Sequence, residues 1–303
     1  MANKMDAPLV VKDLCKNYPA FQLKPLSFEL EAGRITGFIG RNGAGKTTTM
    51  RAVLGLLQTD GGTISVLDEP VRYGKTPKCG CIGFLPDVPE FYGYMNAREY
   101  LMFCGEITRL DRRTLKTRCG ELLELVGLDK ETHRIKGYSR GMKQRLGIAQ
   151  ALINRPKLLI CDEPTSALDP VGRKDILDII SSVKEQSSVV FSTHILSDVE
   201  RVCSRVAFLE GGKTVFSGTI EEIRAKKNDT ALSLTLAKPA DTERVQAAFP
   251  ACTDSDGRLL FPKASDRDCA DLMAFLAAQE IPVMRLERHE AGLEDLFMEV
   301  IGK

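Results

Sequence analysis

The stretch Gly40-Arg41-Asn42-Gly43-Ala44-Gly45-Lys46-Thr47 constrains this chain more than any other. It follows the apolar run Ile35-Thr36-Gly37-Phe38-Ile39, which reads as a buried strand. It precedes Thr48 to Leu57, which reads as a helix beginning near Lys46. Strand, glycine loop and helix in that order match the phosphate-loop pattern of Gly, four residues, Gly, Lys and Ser or Thr. Glycines let the backbone curl and approach a polyphosphate without Cβ clashes. The N–H groups of such a loop face inward as an anion nest, and the helix start adds its positive dipole end. Gly40 to Thr48 are therefore the expected phosphate cradle. Lys46 is expected to reach the β- and γ-phosphates of a bound polyphosphate, and the Thr47 hydroxyl to ligate Mg²⁺.

Composition narrows the partners. The chain has 303 residues and a formal net charge of +1, so no polyanion-binding surface follows from bulk charge, and no nucleic-acid partner is expected. No apolar run approaches the ~18 residues that suggest a membrane span. Met1 to Leu9 lacks the apolar core of a signal peptide. Any membrane role is expected to need a partner subunit. Nine cysteines are an odd number, and only Cys79-Gly80-Cys81 forms a close pair. Reduced thiols in a cytosolic protein are the expectation, rather than a disulfide framework or a metal site.

Leu9 to Leu14 and Leu26 to Leu30 read as strands of an N-terminal β region, with Tyr18 between them in Lys16-Asn17-Tyr18-Pro19. Thr63 to Leu67 and Cys81 to Leu85 are further short apolar runs bounded by turn residues. From Ala97 to Leu152 the spacing turns helical, then Lys157 to Cys161 reads as a strand and Arg173 to Lys184 as a helix. Ser188 to Phe191 is read as the last core strand. The alternation predicts a parallel sheet with crossover helices. After Gly218 the composition shifts. Glu221 to Lys227 reads as a charged helix ended by Asn228-Asp229. Leu232, Leu234 and Leu236 alternate as in a half-buried strand. Helices near Thr242 to Phe249 and Ala270 to Ala278, strands near Arg258 to Phe261 and Pro282 to Arg288, and a closing helix Leu293 to Ile301 complete a small α+β domain.

Three more stretches carry chemistry. Leu158-Leu159-Ile160-Cys161-Asp162-Glu163 is an apolar strand ending in two carboxylates. Asp162 can hold Mg²⁺, directly or through water, and Glu163 can orient or deprotonate an attacking water. His194, in Ser192-Thr193-His194, is placed to contact the γ-phosphate and hold Glu163. Tyr138-Ser139-Arg140-Gly141-Met142-Lys143-Gln144-Arg145 opens a helix, and Ser139 is a good N-cap. That helix start is a second anion site in one chain.

In this order the motifs resemble those of an ATP-binding cassette (ABC) ATPase over about Leu9 to Gly218. Gly40–Thr47 is similar to Walker A, and Leu158–Asp162 with Glu163 to Walker B and the catalytic Glu. Ser166-Ala167-Leu168-Asp169 resembles the D-loop, His194 the switch histidine and Tyr138–Met142 the signature. Tyr18 sits where an adenine-stacking aromatic is expected. The signature reads Ser-Arg-Gly-Met where the family usually has Ser-Gly-Gly-Gln, similar to drug- and antibiotic-export variants. Asp87 stands where the family's Mg²⁺-ligating Gln is usual, and a carboxylate is a good hard-cation ligand. The tail Gly292 to Phe297 resembles that of the same exporter-type subfamily.

The resemblance implies an α/β, P-loop NTPase core of the ABC type, with an N-terminal antiparallel β region and a helical subdomain at about 90–152. It implies an ATPase domain at 1–218 and a small C-terminal α+β domain at 219–303. It implies an ATP-hydrolysing subunit that powers a separate membrane permease of the export type, held on the inner face of the membrane through that permease. Each ATP would lie between Walker A of one chain and Ser139, Gly141 and Asp169 of a second ATPase subunit, so two copies complete two sites. A P-loop kinase would not need the Tyr138–Met142 motif. A non-transport ABC protein, acting mechanically on another complex, is the alternative from another class. Ribosomal ones usually carry two cassettes, and those on DNA a long coiled coil; neither is read here.

Overall fold

The computed structural model describes residues 7–75, 79–222, 231–255, 258–261 and 264–289. The chain divides into two units, residues 1–219 and 220–303.

The first unit begins with an antiparallel sheet in the order β2-β1-β4-β5. Its strands are β1 (Leu9–Tyr18), β2 (Phe21–Leu30), β4 (Gly61–Val66) and β5 (Glu69–Pro70). The strands expected at Leu9–Leu14 and Leu26–Leu30 run on until Tyr18 pairs with Phe21. Tyr18 therefore closes β1 instead of lying in a connection.

The second sheet carries the site. Its order is β10-β9-β3-β8-β7-β6, with β3 (Ile35–Gly40), β6 (Ile82–Leu85), β7 (Leu158–Asp162), β8 (Ser188–Thr193), β9 (Arg205–Glu210) and β10 (Lys213–Thr219). Strands β3, β7 and β8 are buried along their whole length. Burial on both faces is why they read as unbroken apolar runs rather than alternating ones. Ser188–Phe191 is not the last core strand. β9 pairs parallel with β3, and β10 returns antiparallel on β9. The turn between them is Gly211-Gly212, with φ of 53° and 75°, the two-residue hairpin geometry that favours glycine.

Helix α1 (Lys46–Val53) leaves the loop after β3. Three helices lie between β6 and β7: α2 (Ala97–Ile107), α3 (Arg112–Leu125) and α4 (Arg140–Ala151). Each opens on a side chain that caps free N–H groups, namely Asn96, Asp111 and Ser139. Helix α5 (Pro170–Ser182) starts three residues before the expected Arg173, because Asp169 caps it and Pro170 occupies its first position. Helix α6 (Leu196–Val202) follows β8.

The second unit runs β11 (Ala231–Leu236), helix Thr242–Ala248, β12 (Thr253–Ser255), β13 (Arg258–Phe261), helix Asp266–Ala278, β14 (Val283–His289). The order β12-β13-β11-β14, antiparallel throughout, is the split β-α-β arrangement of ferredoxin-like domains. Leu232, Leu234 and Leu236 enter its core, but Ser233 is buried too, so β11 is not half-buried as its alternation suggests. The helix read at Glu221–Lys227 with its Asn228-Asp229 stop lies mostly outside the described residues. The Leu293–Ile301 helix and the Gly292–Phe297 stretch lie wholly outside them, as does the Cys79 side chain. Eight cysteines among the described residues are free thiols. Among the described residues no cluster of three His, Cys, Asp or Glu is arranged to hold a metal, and no helix is long and apolar enough to cross a membrane.

Candidate active site

The sheet order brings the ends of three neighbouring strands together, since β8 lies between β3 and β7. Ligands of open α/β sheets bind at the carboxyl ends of the strands, and here those ends carry the loop Gly40–Gly45, Asp162 and Thr193. In the loop, Gly43 and Gly45 have φ of 83° and 106°, left-handed values that side chains resist. A Cβ on Gly45 would also lie 2.7 Å from Leu23. Arg41, Asn42 and Gly43 are exposed at the mouth, whereas Ala44 and Gly45 are buried and Thr48 is half-buried.

Lys46 is 6% exposed. Its Nζ donates to Gly40 O at 2.6 Å and Arg41 O at 3.3 Å. It also stands 3.1 Å from Glu163 Oε1, as an ion pair without the alignment of a hydrogen bond. Thr47 Oγ1 donates to Asp162 Oδ2 at 2.8 Å, and Ser192 Oγ to Asp162 Oδ1 at 2.5 Å. A hydroxyl and a carboxylate side by side, both oxygen donors, fit a hard cation that keeps several waters and leans on substrate phosphates. Bound there by Thr47 and Asp162, Mg²⁺ would neutralise charge on the β- and γ-phosphate oxygens.

Glu163 has φ of 47°, unusual for a residue with a side chain. Its N–H donates to Ser192 O and Ser192 Oγ, each at 3.1 Å. These bonds hold the turned backbone that aims the carboxylate back over Lys46. Its Oε2 lies 2.8 Å from His194 Nδ1. Glu163 is thus held from two sides, by a lysine and by a histidine whose side chain is 44% exposed.

Tyr18, Ser139, Gly141 and Asp169 make no contact with this cluster among the described residues, while Asp87 feels its charges. Tyr18 is 41% exposed, its ring 6.4 Å from that of Phe21; Phe21 in turn reaches the Gly45 end of the loop. Ser139 caps α4 by accepting from Met142 N at 3.2 Å. Asp169 caps α5 by accepting from Gly172 N at 3.3 Å. Ser139, Gly141 and Asp169 line one open cavity of about 340 Å³ with Ala167 and Leu168. Asp87 is half-buried. Its Oδ1 accepts from Arg140 Nη2 at 3.5 Å. Burial pushes its carboxyl up, Arg140 pulls it down, and the charges of Asp162 and Glu163 push it up further.

Sequence reasoning gave no role to Ser192 or Gln144. Ser192 holds both Asp162 and the Glu163 backbone. Gln144 is fully buried, and it was detectable as a polar residue one and two turns from Ile148 and Ala151 on the inward face of α4.

A glycine loop under a buried lysine, beside a hydroxyl–carboxylate pair and a histidine-held glutamate, defines a P-loop ATPase. A family model described as ABC transporter matches residues 23–166. The ABC transporter ATP-binding protein YxlF of Bacillus subtilis (strain 168), itself uncharacterized, is 36% identical over 97% of this chain and 99% of its own. The bacitracin transport ATP-binding protein BcrA of Bacillus licheniformis is 34% identical, covering 98% of each. A solved structure of the ATP-binding subunit of an ABC transporter is 30% identical with a TM-score of 0.65, over 72% of this chain and 92% of that one. The chain belongs to the ABC transporter ATP-binding proteins, and its fold is the ABC ATPase fold. It binds and hydrolyses ATP as the ATPase subunit of a transporter whose membrane permease is a separate partner.

Proposed function

We propose that two copies of this chain close on two molecules of Mg-ATP and reopen after hydrolysis, driving an export permease from the inner face of the membrane. The observation that carries this reading is the separation of two half-sites in one chain. The Walker cluster at Lys46, Thr47, Asp162, Glu163 and His194 is one half. The cavity of Ser139, Gly141 and Asp169 is the other, and it contains none of those five. A second copy supplies what each half lacks. In each site Lys46 leaves Glu163 for the β- and γ-phosphates, freeing Glu163 to accept a proton from the attacking water while His194 holds its other oxygen. Tyr18 would stack on adenine, and Asp87 would offer a further carboxylate to Mg²⁺. Nucleic acid is no partner in this reading. Export is favoured by the full-length similarity to a bacitracin transport protein.

Ser139→Ala tests the division of labour. ATP binding by the dilute single chain should stay within about twofold of wild type, while hydrolysis falls on the order of 10²-fold, as when one donor to a developing anion is lost. Titration calorimetry and phosphate release separate the two. Equal loss in both assays refutes the assignment.

The permease contact is read from Glu90 to Met95. Tyr92 and Tyr94 are 50% and 65% exposed, and their rings lie 5.8 Å apart. Beside them, Phe84, Phe91, Tyr100, Phe103 and Ile107 line a groove of about 660 Å³ between the sheet and α2. Aromatics are enriched where proteins bind one another, and a partner helix fits this groove. Tyr92→Ala with Tyr94→Ala should leave soluble ATPase activity near normal and cost permease binding about 2 kcal/mol or more. Unchanged permease binding with a lowered melting temperature would make these rings core instead. Co-purification with the permease reads the first, and thermal melts the second.

A further inference from the structure

We propose that Gln144 is a positioning residue. It locks the signature helix to the two loops that bear Asp87 and Glu163, so the placement of Ser139 follows the state of the same chain's nucleotide loops. The inference rests on the two-chain reading above.

Gln144 lies in the second turn of α4, 0% exposed. Its Nε2 donates to Asp87 O at 3.1 Å and to Pro164 O at 3.2 Å. Pro164 follows Glu163 directly, so one amide joins the carbonyls of both loops. Its Oε1 is buried without a hydrogen-bond partner among the described residues. A buried polar group left half-satisfied is costly, and a leucine would fill the position without that cost. What the amide supplies is geometry.

Two further contacts make the link stiff. Arg140, one turn earlier, reaches the Asp87 carboxylate at 3.5 Å on the solvent side; being half-exposed, that pair adds register rather than much energy. On the inner side, Gly147 lets α4 lie flush on β6. A Cβ there would stand 2.5 Å from Leu85 and 3.4 Å from Pro89, the residues on either side of Asp87. Helix α4 is therefore fixed to the Asp87 loop at three successive turns. At its first turn it carries Ser139 and Gly141, which serve the other chain's ATP. A shift of the Asp87 or Glu163 loop on filling one site is passed through Gln144 to the signature that completes the opposite site.

The test starts from Glu163→Gln, whose Mg-ATP dimer is measured by sedimentation. Gln144→Met keeps the side-chain length and removes both donors. Added to Glu163→Gln, it should raise the dimer dissociation constant about tenfold, within the range for two ordinary hydrogen bonds. The Mg-ATP affinity of the dilute monomer should stay within about twofold, a split that loosened packing alone does not produce. Gln144→Asn keeps the amide but falls one methylene short of spanning both carbonyls. It should show the same split, and it replaces the first variant if that one does not fold. An unchanged dimer constant in the folded variants overturns the inference, whatever the melting temperature does. So does an equal loss of monomer affinity, which would confine Gln144 to its own chain's nucleotide site. A Glu163→Gln parent that binds Mg-ATP yet stays monomeric fails before Gln144 is touched, and it removes the two-chain reading and this inference together.

Discussion

Glu163→Gln should slow ATP hydrolysis by about 10²–10⁴-fold, the range for losing a positioned general base. The substitution changes little else. Gln has the shape of Glu, and the backbone bonds that hold residue 163 run to Ser192 from its N–H, not from its carboxylate. The His194 contact at 2.8 Å can survive as an ordinary hydrogen bond. What disappears is the basic oxygen and its charge 3.1 Å from Lys46. Mg-ATP should then persist in the site and hold two chains together, so gel filtration with Mg-ATP gives a dimer where the wild-type chain elutes mostly as a monomer. Hydrolysis within threefold of wild type would remove Glu163 from the role of base.

The second large effect is at Lys46. Lys46→Ala should weaken ATP binding on the order of 10²-fold, since a charged donor to an anionic partner contributes about 1.5–3 kcal/mol. Two local consequences add to the lost phosphate contact. The carbonyls of Gly40 and Arg41 lose the ammonium that draws them inward at 2.6 and 3.3 Å. Glu163, 8% exposed, loses its buried counter-charge and keeps only His194. Calorimetry on the dilute chain reads the binding loss directly. Affinity near wild type would mean that the backbone N–H nest alone holds the phosphates.

The loop, the acidic strand end and the histidine were legible in the sequence because each is local: a glycine pattern, an apolar run with a polar stop, a short polar triplet. The insertion was legible as helical, with Ser139 as a start signal, but not as three helices: the caps Asn96 and Asp111 that divide it were not singled out. What failed was longer-ranged or overlooked. Val206 to Leu209 is an apolar run closed by Gly211-Gly212, a readable hairpin. Reading Ser188–Phe191 as the last core strand left out this hairpin, which adds β9 and β10 to the core sheet. Ser233 was misplaced because alternation along β11 reports one face and says nothing of what buries the other. Gln144 belongs to a third kind. Its partners, the carbonyls of Asp87 and Pro164, lie 57 and 20 residues away, and backbone carbonyls leave no mark in a sequence.

The ion pair between Lys46 and Glu163 bears on selectivity. A cell is crowded with small anions such as inorganic phosphate and sulfate, and a bare nest of N–H groups over a free lysine would collect them. Here the lysine already faces a carboxylate held 3.1 Å away on the same chain, whereas a free anion must give up translational freedom to take its place. A lone phosphate must compete with that internal anion for a single ammonium. On the proposed reading, a nucleoside triphosphate would bring a chain of anionic oxygens, a metal for Thr47 and Asp162 and a base for Tyr18, and so would displace the carboxylate where smaller ions fail. Glu163, proposed as the base, would thereby also screen what is allowed to occupy the loop.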